Sequence, residues 1–573
     1  MSEFWFDLND VLYIVGISFL LSFFVLLVLS LLIPKKLIDV FLVLIFSIGF
    51  ALYIQGNFIN LDYGVLDGTE INWDNFGFSG TLNTIIWVLC VVVPLIIMKI
   101  WKKKAIKILK MISLIIVSVQ VVTTGVLLLS VNTSKSDITV TDINQFSLSK
   151  DKNSIVFILD TFDSSYFNKI INEYPEYKEK LIGFTYFKNT LGTYPTTKGA
   201  LPHILTNVRY DNSVPYSKYI ESAYDETLQY DLLSSAGFDI GIYTSKIFLP
   251  TKHLELFSNI RKTTMKPSSY YGLGKLMYKA VAFSYFPHAM KKNFVYYSGD
   301  FNNYMRINSN IYNLYDFNQT SFCQKLVNEG LDFSNKKKAF RLYHLDGVHP
   351  PYNLKPDLSI DSNGTSEIDE ALASLNVVCK FIDKLMEAGV YDRTSIIVMA
   401  DHGAIDKNQN PLLLVKPEKS EKRFSVSTAP ISFDDLQNTI LYLCTGDNKY
   451  QPNVFSWDEN DKRIRYYYYY RWDDSWDKEY LPNMFEYITD ETAPNTMQIK
   501  KTGRVYAPTG IIEDFKVNIA LGEKLVFGGN GEIEDAFIYG LSVPERTFTW
   551  SIGPKAKFVV YLEKNDSEDD TAA

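Results

Sequence analysis

The sequence predicts an α/β protein in three parts: a four-helix transmembrane region, a domain with a mostly parallel sheet between helices, and a small antiparallel β region at the C-terminal end. Three observations lead there. Four long apolar runs crowd residues 1–131, residues 154–447 alternate short apolar runs with longer amphipathic stretches, and the helical pattern stops near Asn448.

The first apolar run, Val11 to Ile33, has 23 residues. At about 1.5 Å per residue it crosses a hydrocarbon core about 30 Å thick. The residues before it are acidic, whereas a signal peptide starts basic. Three more runs follow, Leu37 to Ile54, Leu82 to Trp101 and Ile108 to Leu129, giving four expected spans. Lys35 and Lys36 separate the first two, and Lys102, Lys103, Lys104, Lys107 and Lys110 cluster between the last two. Such lysines stay on the cytoplasmic side. The loop over 55–80 carries Asp62, Asp67, Glu70 and Asp74 and no Lys or Arg. With an even number of spans, that loop and everything after Ser130 face outward. The expectation is a multi-pass protein of the cell membrane with its bulk extracytoplasmic. Asp39, beside Lys35 and Lys36, reads as interfacial.

A polar linker over 132–153 should join the spans to the soluble part. There the runs Ile155 to Leu159, Ile240 to Tyr243, Ala339 to Leu345 and Ser395 to Ala400 read as strands. Leu232 to Ala236 and Ile368 to Ala388 read as the amphipathic stretches leading into two of them. Residues 448–564 form the expected β region, with Arg463 to Trp472, Arg504 to Tyr506 and Lys557 to Leu562 as candidate strands. The Tyr-rich stretch Tyr466 to Tyr470 is read as a packed strand ahead of a sugar-stacking platform. The charged, small-residue tail over 565–573 is expected to be disordered.

Charge narrows the partners. With 57 Lys and Arg against 65 Asp and Glu the net charge is −8, so there is no basic field to wrap a nucleic acid, and none is expected as a partner. Cys90, Cys323, Cys379 and Cys444 lie far apart and imply neither a disulfide framework nor a thiolate metal site.

In sheets of this class ligands bind beyond the carboxyl ends of the strands. Asp160 directly follows Ile155-Val156-Phe157-Ile158-Leu159, and Asp401-His402-Gly403 directly follows Ile396-Ile397-Val398-Met399-Ala400. Two acids and an imidazole converging there suit one divalent cation, with zinc or manganese favoured and magnesium or calcium admissible. The plain alternative is that each acid caps the helix after it.

These marks resemble the alkaline phosphatase/sulfatase superfamily, and in particular its membrane-anchored phosphotransferases. The segment Tyr194-Pro195-Thr196-Thr197-Lys198-Gly199-Ala200-Leu201-Pro202-His203-Ile204-Leu205-Thr206 supplies the middle mark. In the sulfatases a Cys or Ser nucleophile stands nine residues before the Thr of a Leu-Leu-Thr ending, and nine before Thr206 is Thr197, with Pro202 five after it as in the phosphoethanolamine transferases, whose nucleophile is Thr; Thr196 is the neighbouring alternative. The Cys-x-Pro-Ser-Arg signal for formylglycine is absent. The resemblance therefore implies a Thr nucleophile within a metal shell of Asp160, Thr197, Asp401 and His402. The segment His344-Leu345-Asp346-Gly347-Val348-His349 resembles the His-x-x-Gly-x-His of the transferases, implying substrate contact by His349 and His344. Lys198, beside the nucleophile, is a further candidate for binding a phosphate oxygen. The implied reaction moves a phospho-substituent, phosphoglycerol or phosphoethanolamine, from a membrane phospholipid to a cell-surface glycan or lipid. The alternative is a hydrolase of phosphate or sulfate esters, in which water takes the acceptor's place.

Overall fold

The computed structural model describes residues 6, 8–63, 66, 71–130, 138–262, 265–297, 300–301, 304–307, 313–361, 363–404, 410–420, 422–470, 479–489, 500–508 and 510–513, with short strands at 518–519, 537–539, 557–558 and 561–562. The tail over 565–573 lies outside them. The chain divides into two compact units.

One unit gathers the N-terminal helices α1 (Leu8–Leu32), α2 (Ile38–Phe58), α3 (Gly77–Trp101) and α4 (Lys103–Ser130). All four are long and apolar enough to cross a membrane. Their outward residues are Leu, Ile, Val and Phe, the pattern of helices solvated by hydrocarbon rather than water. Residues 263–311, expected from the sequence to belong with the catalytic domain, group with these helices instead. The reason lies in its apolar contacts. Leu273 packs with Phe6 and Ile14 in one small core, and the ring of Tyr285 lies against Gly56.

The other unit is built on a seven-stranded sheet. In chain order its strands are β1 (Asn153–Leu159), β2 (Thr185–Phe187), β3 (Phe238–Tyr243), β4 (Lys338–Leu345), β5 (Thr394–Met399), β6 (Leu413–Lys416) and β7 (Ser425–Ser427). They lie in the order β7-β2-β6-β5-β1-β4-β3. The central strands β5, β1, β4 and β3 run parallel, whereas β6 is antiparallel to both β5 and β2. Every residue of β1 and β5 is buried. That is why each reads as an unbroken apolar run: a parallel strand covered on both faces has no wet side to alternate with. Residues 138–149, read from the sequence as linker, carry the short strands Ile138–Val140 and Ser147–Ser149, the first paired with Ile260–Lys262.

The nucleophile segment forms α5 (Thr197–Thr206), all ten residues of which are buried. The long amphipathic stretch forms α8 (Glu367–Glu387), started by a capping box between Ser366 and Asp369. Between them in the chain, and in the unit of the N-terminal helices, lie α6 (Tyr270–Tyr285) and α7 (His288–Lys291). The C-terminal region holds a four-stranded antiparallel sheet of β8 (Arg465–Tyr469), β9 (Met484–Thr489), β10 (Lys500–Ala507) and β11 (Gly510–Ile512). Within the Tyr-rich strand Tyr467 and Tyr468 are buried, as is Tyr470 just beyond it, in line with a packed strand. The four cysteines are free.

Candidate active site

Asp160 stands one residue, and Asp401 two residues, beyond the carboxyl ends of the adjacent parallel strands β1 and β5. Adjacent parallel strands ending at the same level bring the residues after them together, and His402 comes with Asp401. Ligand atoms of Asp160, Asp401 and His402 lie within 4.8 Å of one another. Asp160 is not the cap of the helix that follows it. That role belongs to Asp163, whose side chain accepts from the Ser165 backbone N–H at 2.8 Å.

Two members of the trio, Asp401 and His402, are fixed by the backbone. Asp401 Oδ1 accepts from the N–H groups of Thr161 and His402, at 3.1 and 2.9 Å. Its other oxygen, Oδ2, is buried and accepts no hydrogen bond among the described residues. His402 Nδ1 lies 2.7 Å from the Gly403 carbonyl oxygen. A carbonyl only accepts, so Nδ1 carries the proton and Nε2 presents its lone pair. That lone pair faces Asp160 Oδ1 at 3.5 Å and Asp401 Oδ2 at 3.6 Å. Three electron-rich atoms facing one another in a buried site are stabilised only by a positive charge between them. The donor set therefore fits a divalent cation held by Asp160, Asp401 and His402, two hard oxygens and one imidazole nitrogen.

Thr197 joins this trio. Its hydroxyl donates to Asp160 Oδ2 at 3.3 Å and lies 3.4 Å from His402 Nε2. Thr197 opens α5, where the helix dipole favours negative charge. Its neighbour Thr196 points elsewhere, its hydroxyl bonded at 2.7 Å to that of Tyr470. Of the two threonines, Thr197 is the one whose hydroxyl lies beside Asp160 and His402. Gly199 makes this packing possible, since a Cβ there would collide with the Tyr470 hydroxyl and the Tyr194 side chain.

His344, at the end of β4, is buried, with Nδ1 3.1 Å from the Thr244 hydroxyl and Nε2 3.8 Å from Asp160 Oδ2. His349 is partly exposed on the loop beyond, its Nδ1 2.7 Å from the Pro350 carbonyl oxygen. Burial alone would push the Asp160 carboxyl up, but hydrogen bonding to His344 and the positive charge of the His349 and His344 imidazoles outweigh it and hold that group well below the usual carboxylate range. Lys198 is buried, with its Nζ 5.0 Å from the centroid of the Tyr216 ring.

The loop carrying His349 is held by residues that no sequence motif singled out. Glu370 on α8 accepts from the N–H groups of Asn353 and Leu354, at 2.9 and 2.8 Å, and from Gln319 Nε2 at 3.2 Å. Gln319 and Ser374 both donate to the Gly347 carbonyl. Tyr470 likewise went unassigned as a support of the nucleophile segment. In sequence these are a glutamate in the first turn of a helix and one tyrosine in a run of five, with no local pattern to mark them.

Residues 152–446, just over half of the chain, match the sulfatase family. Solved structures with a similar fold include a protein of the alkaline phosphatase superfamily from Vibrio parahaemolyticus, 13% identical over 64% of this chain and 81% of that one, with a TM-score of 0.33. A phosphonate monoester hydrolase from Silicibacter pomeroyi is 13% identical over 61% and 88%, with a TM-score of 0.31. A sulfatase from Pseudoalteromonas sp. is 11% identical over 59% and 78%, with a TM-score of 0.35. No curated protein matches the chain. With acids and a histidine at the ends of its central strands and a matching stretch that runs from β1 through β7, the chain belongs to the sulfatase family.

Proposed function

We propose that the protein is a membrane-bound, metal-dependent transferase that moves phosphoglycerol or phosphoethanolamine from a phospholipid to a cell-surface glycan or lipid through Thr197. The observation that carries this reading is the seating of the Thr197 hydroxyl between Asp160 and His402. A threonine there supports transfer of a phosphoryl group; the segment has no cysteine from which the formylglycine of sulfate-ester hydrolysis could be made. Covalent attachment to four apolar helices keeps the catalytic unit at a lipid surface, where phospholipid head groups are abundant.

A divalent cation held by Asp160, Asp401 and His402 would lower the pKa of the Thr197 hydroxyl and neutralise charge on the phosphoryl oxygens. In the first half-reaction Thr197 Oγ1 bonds to phosphorus, its proton passing to solvent. The bond from phosphorus to the diacylglycerol oxygen breaks, and that oxygen takes a proton from His349. In the second, an acceptor hydroxyl attacks phosphorus and gives its proton to His349, while Thr197 leaves and takes a proton from solvent. Each residue ends as it began. His344, fixed by Thr244, holds Asp160 in position for both halves.

The test is mass measurement of the detergent-purified full chain and of Thr197→Ala, after incubation with mixed phospholipids and manganese. A phosphoglycerol or phosphoethanolamine adduct on Thr197, absent from the variant, is expected. Phospholipid cleavage that also persists in Thr197→Ala, with no adduct in either protein, would overturn the covalent transfer.

A further inference from the structure

Helix α6 lies across one end of the N-terminal helices. At its start the Tyr270 hydroxyl donates to Asp10 Oδ1 at 2.6 Å, its ring packs edge-on against Tyr13, and Leu273 packs on Ile14, all in the first two turns of α1. At its end the Tyr285 ring meets Gly56 in the last turn of α2. Just beyond, the His288 backbone N–H donates to Asn83 in the first two turns of α3 at 2.9 Å, and Lys291 Nζ donates to Asn60 after α2 at 2.8 Å. The start of α1, the end of α2 and the start of α3 are the same end of an up-and-down bundle. A helix that visits all three runs across the axes of the spans, at the level where they leave the hydrocarbon.

The two faces of α6 differ sharply. Gly272, Leu273, Leu276, Ala282 and Phe283 are buried. Tyr271, Lys275, Tyr278, Val281 and Tyr285 are exposed and recur at intervals of three and four, one stripe along the helix. Tyr271 is 84% exposed and Tyr278, whose ring meets Phe294 edge-on, is 58% exposed, large values for aromatic rings. Tyrosine is enriched where a membrane meets water, because its ring is apolar and its hydroxyl wet, and a lysine beside it extends its ammonium to lipid phosphates.

We propose that α6 is an in-plane interfacial helix whose stripe of Tyr271, Lys275, Tyr278, Val281 and Tyr285 sits in the head-group region of the bilayer. The occupant of this face is lipid. The inference rests on the N-terminal helices crossing a bilayer, and on nothing about the reaction.

The experiment places single spin labels on the full chain, in a Cys90→Ala background, reconstituted in nanodiscs of phosphatidylcholine and phosphatidylglycerol. Labels at Tyr271→Cys and Tyr278→Cys are compared with Leu20→Cys on α1 and with Met386→Cys on α8, both exposed residues. Collision rates with oxygen, which concentrates in lipid, and with a water-soluble nickel chelate give the depth of each label. Expected is an oxygen-to-nickel ratio at residues 271 and 278 several-fold above that at 386 and below that at 20. Ratios at 271 and 278 equal to that at 386, with Leu20→Cys deep in lipid, would overturn the proposal while leaving the spans intact. A Leu20→Cys label in water would remove the spans themselves. Strong dipolar coupling between Tyr278→Cys labels of two chains would give this face to a second copy, and would also overturn it.

Discussion

Gly347 sits directly against the backbone of Asp160: a Cβ on it would meet the Asp160 carbonyl oxygen and amide nitrogen well inside the 3.0 Å that real Cβ atoms respect, and its φ is +63°. The Val348 N–H donates to that same carbonyl at 2.8 Å, and the Asp160 N–H donates to Leu345 at 3.1 Å. The histidine loop and the first metal-facing acid are therefore one interlocked piece of backbone.

Gly347→Ala should break that interlock. Neither the collision nor the left-handed conformation suits a side chain, so a loss of about 2–4 kcal/mol is expected. Chemical denaturation of the purified variant measures the loss. Metal content of the surviving folded fraction shows whether Asp160 has moved.

Asp401→Asn keeps the shape and removes the charge that the buried cation site relies on. Manganese should raise the melting temperature of the wild-type protein by a few degrees when present at about 100 times its Kd. In the variant that rise should vanish, because an uncharged amide leaves Asp160 as the site's only carboxylate. Melting with and without added metal reads this directly, and a variant still stabilised like the wild type would exclude Asp401 as a ligand.

Glu370 gives the protein a pH dependence remote from the metal. Burial pushes its carboxyl from 4.5 up to about 7, despite the N–H groups of Leu354 and Asn353. Below pH 4.5 both folded and unfolded chains hold this proton. As pH climbs from there toward 7 the unfolded chain releases it while the folded one retains it, so stability falls through that window. Glu370→Gln has no such proton, and its stability curve from pH 5 to pH 8 should be flatter by up to about 3 kcal/mol. Equal slopes in the two proteins would assign the dependence to other groups.

Tyr470 is expected to matter in proportion to how much of it is removed. Tyr470→Phe loses only the hydroxyl bonded to Thr196, costing about 1 kcal/mol. Tyr470→Ala opens a cavity behind Gly199 and should cost about 3–5 kcal/mol, with a larger loss of Thr197 reactivity than the unfolded fraction explains. Labelling of Thr197 per folded molecule separates the two effects.

What could be read from the amino-acid order is what is local in it. A buried strand followed at once by an acid is a contiguous pattern, so Asp160 and the pair Asp401 and His402 stood out, and the four spans are likewise runs of one kind of residue. The strand Met484–Thr489 was not legible, because Met-Phe-Glu-Tyr-Ile-Thr has no clear alternation and lies beside polar, charged stretches. Nor was the fate of residues 265–297. Their partners are Asp10, Gly56 and Asn83, some 200 residues away, and an amphipathic helix reads the same whichever apolar surface it covers. The supports of the site act through hydrogen bonds to residues that are not their helical or strand neighbours, three for Glu370 and one for Tyr470, and such pairs leave no periodic trace.

The bond between Thr196 and Tyr470 joins residues 274 apart in the chain. Ribosomes add about 5–20 residues per second, so roughly 15–55 s separate the synthesis of the nucleophile segment from that of the tyrosine behind it. During that interval the four helices have already been made and the threonine already exists, but the segment lacks its rear support. The order of translation thus works as a delay: a nascent chain carries Thr196 and the segment after it before it carries the tyrosine that Thr196 is bonded to in the folded protein.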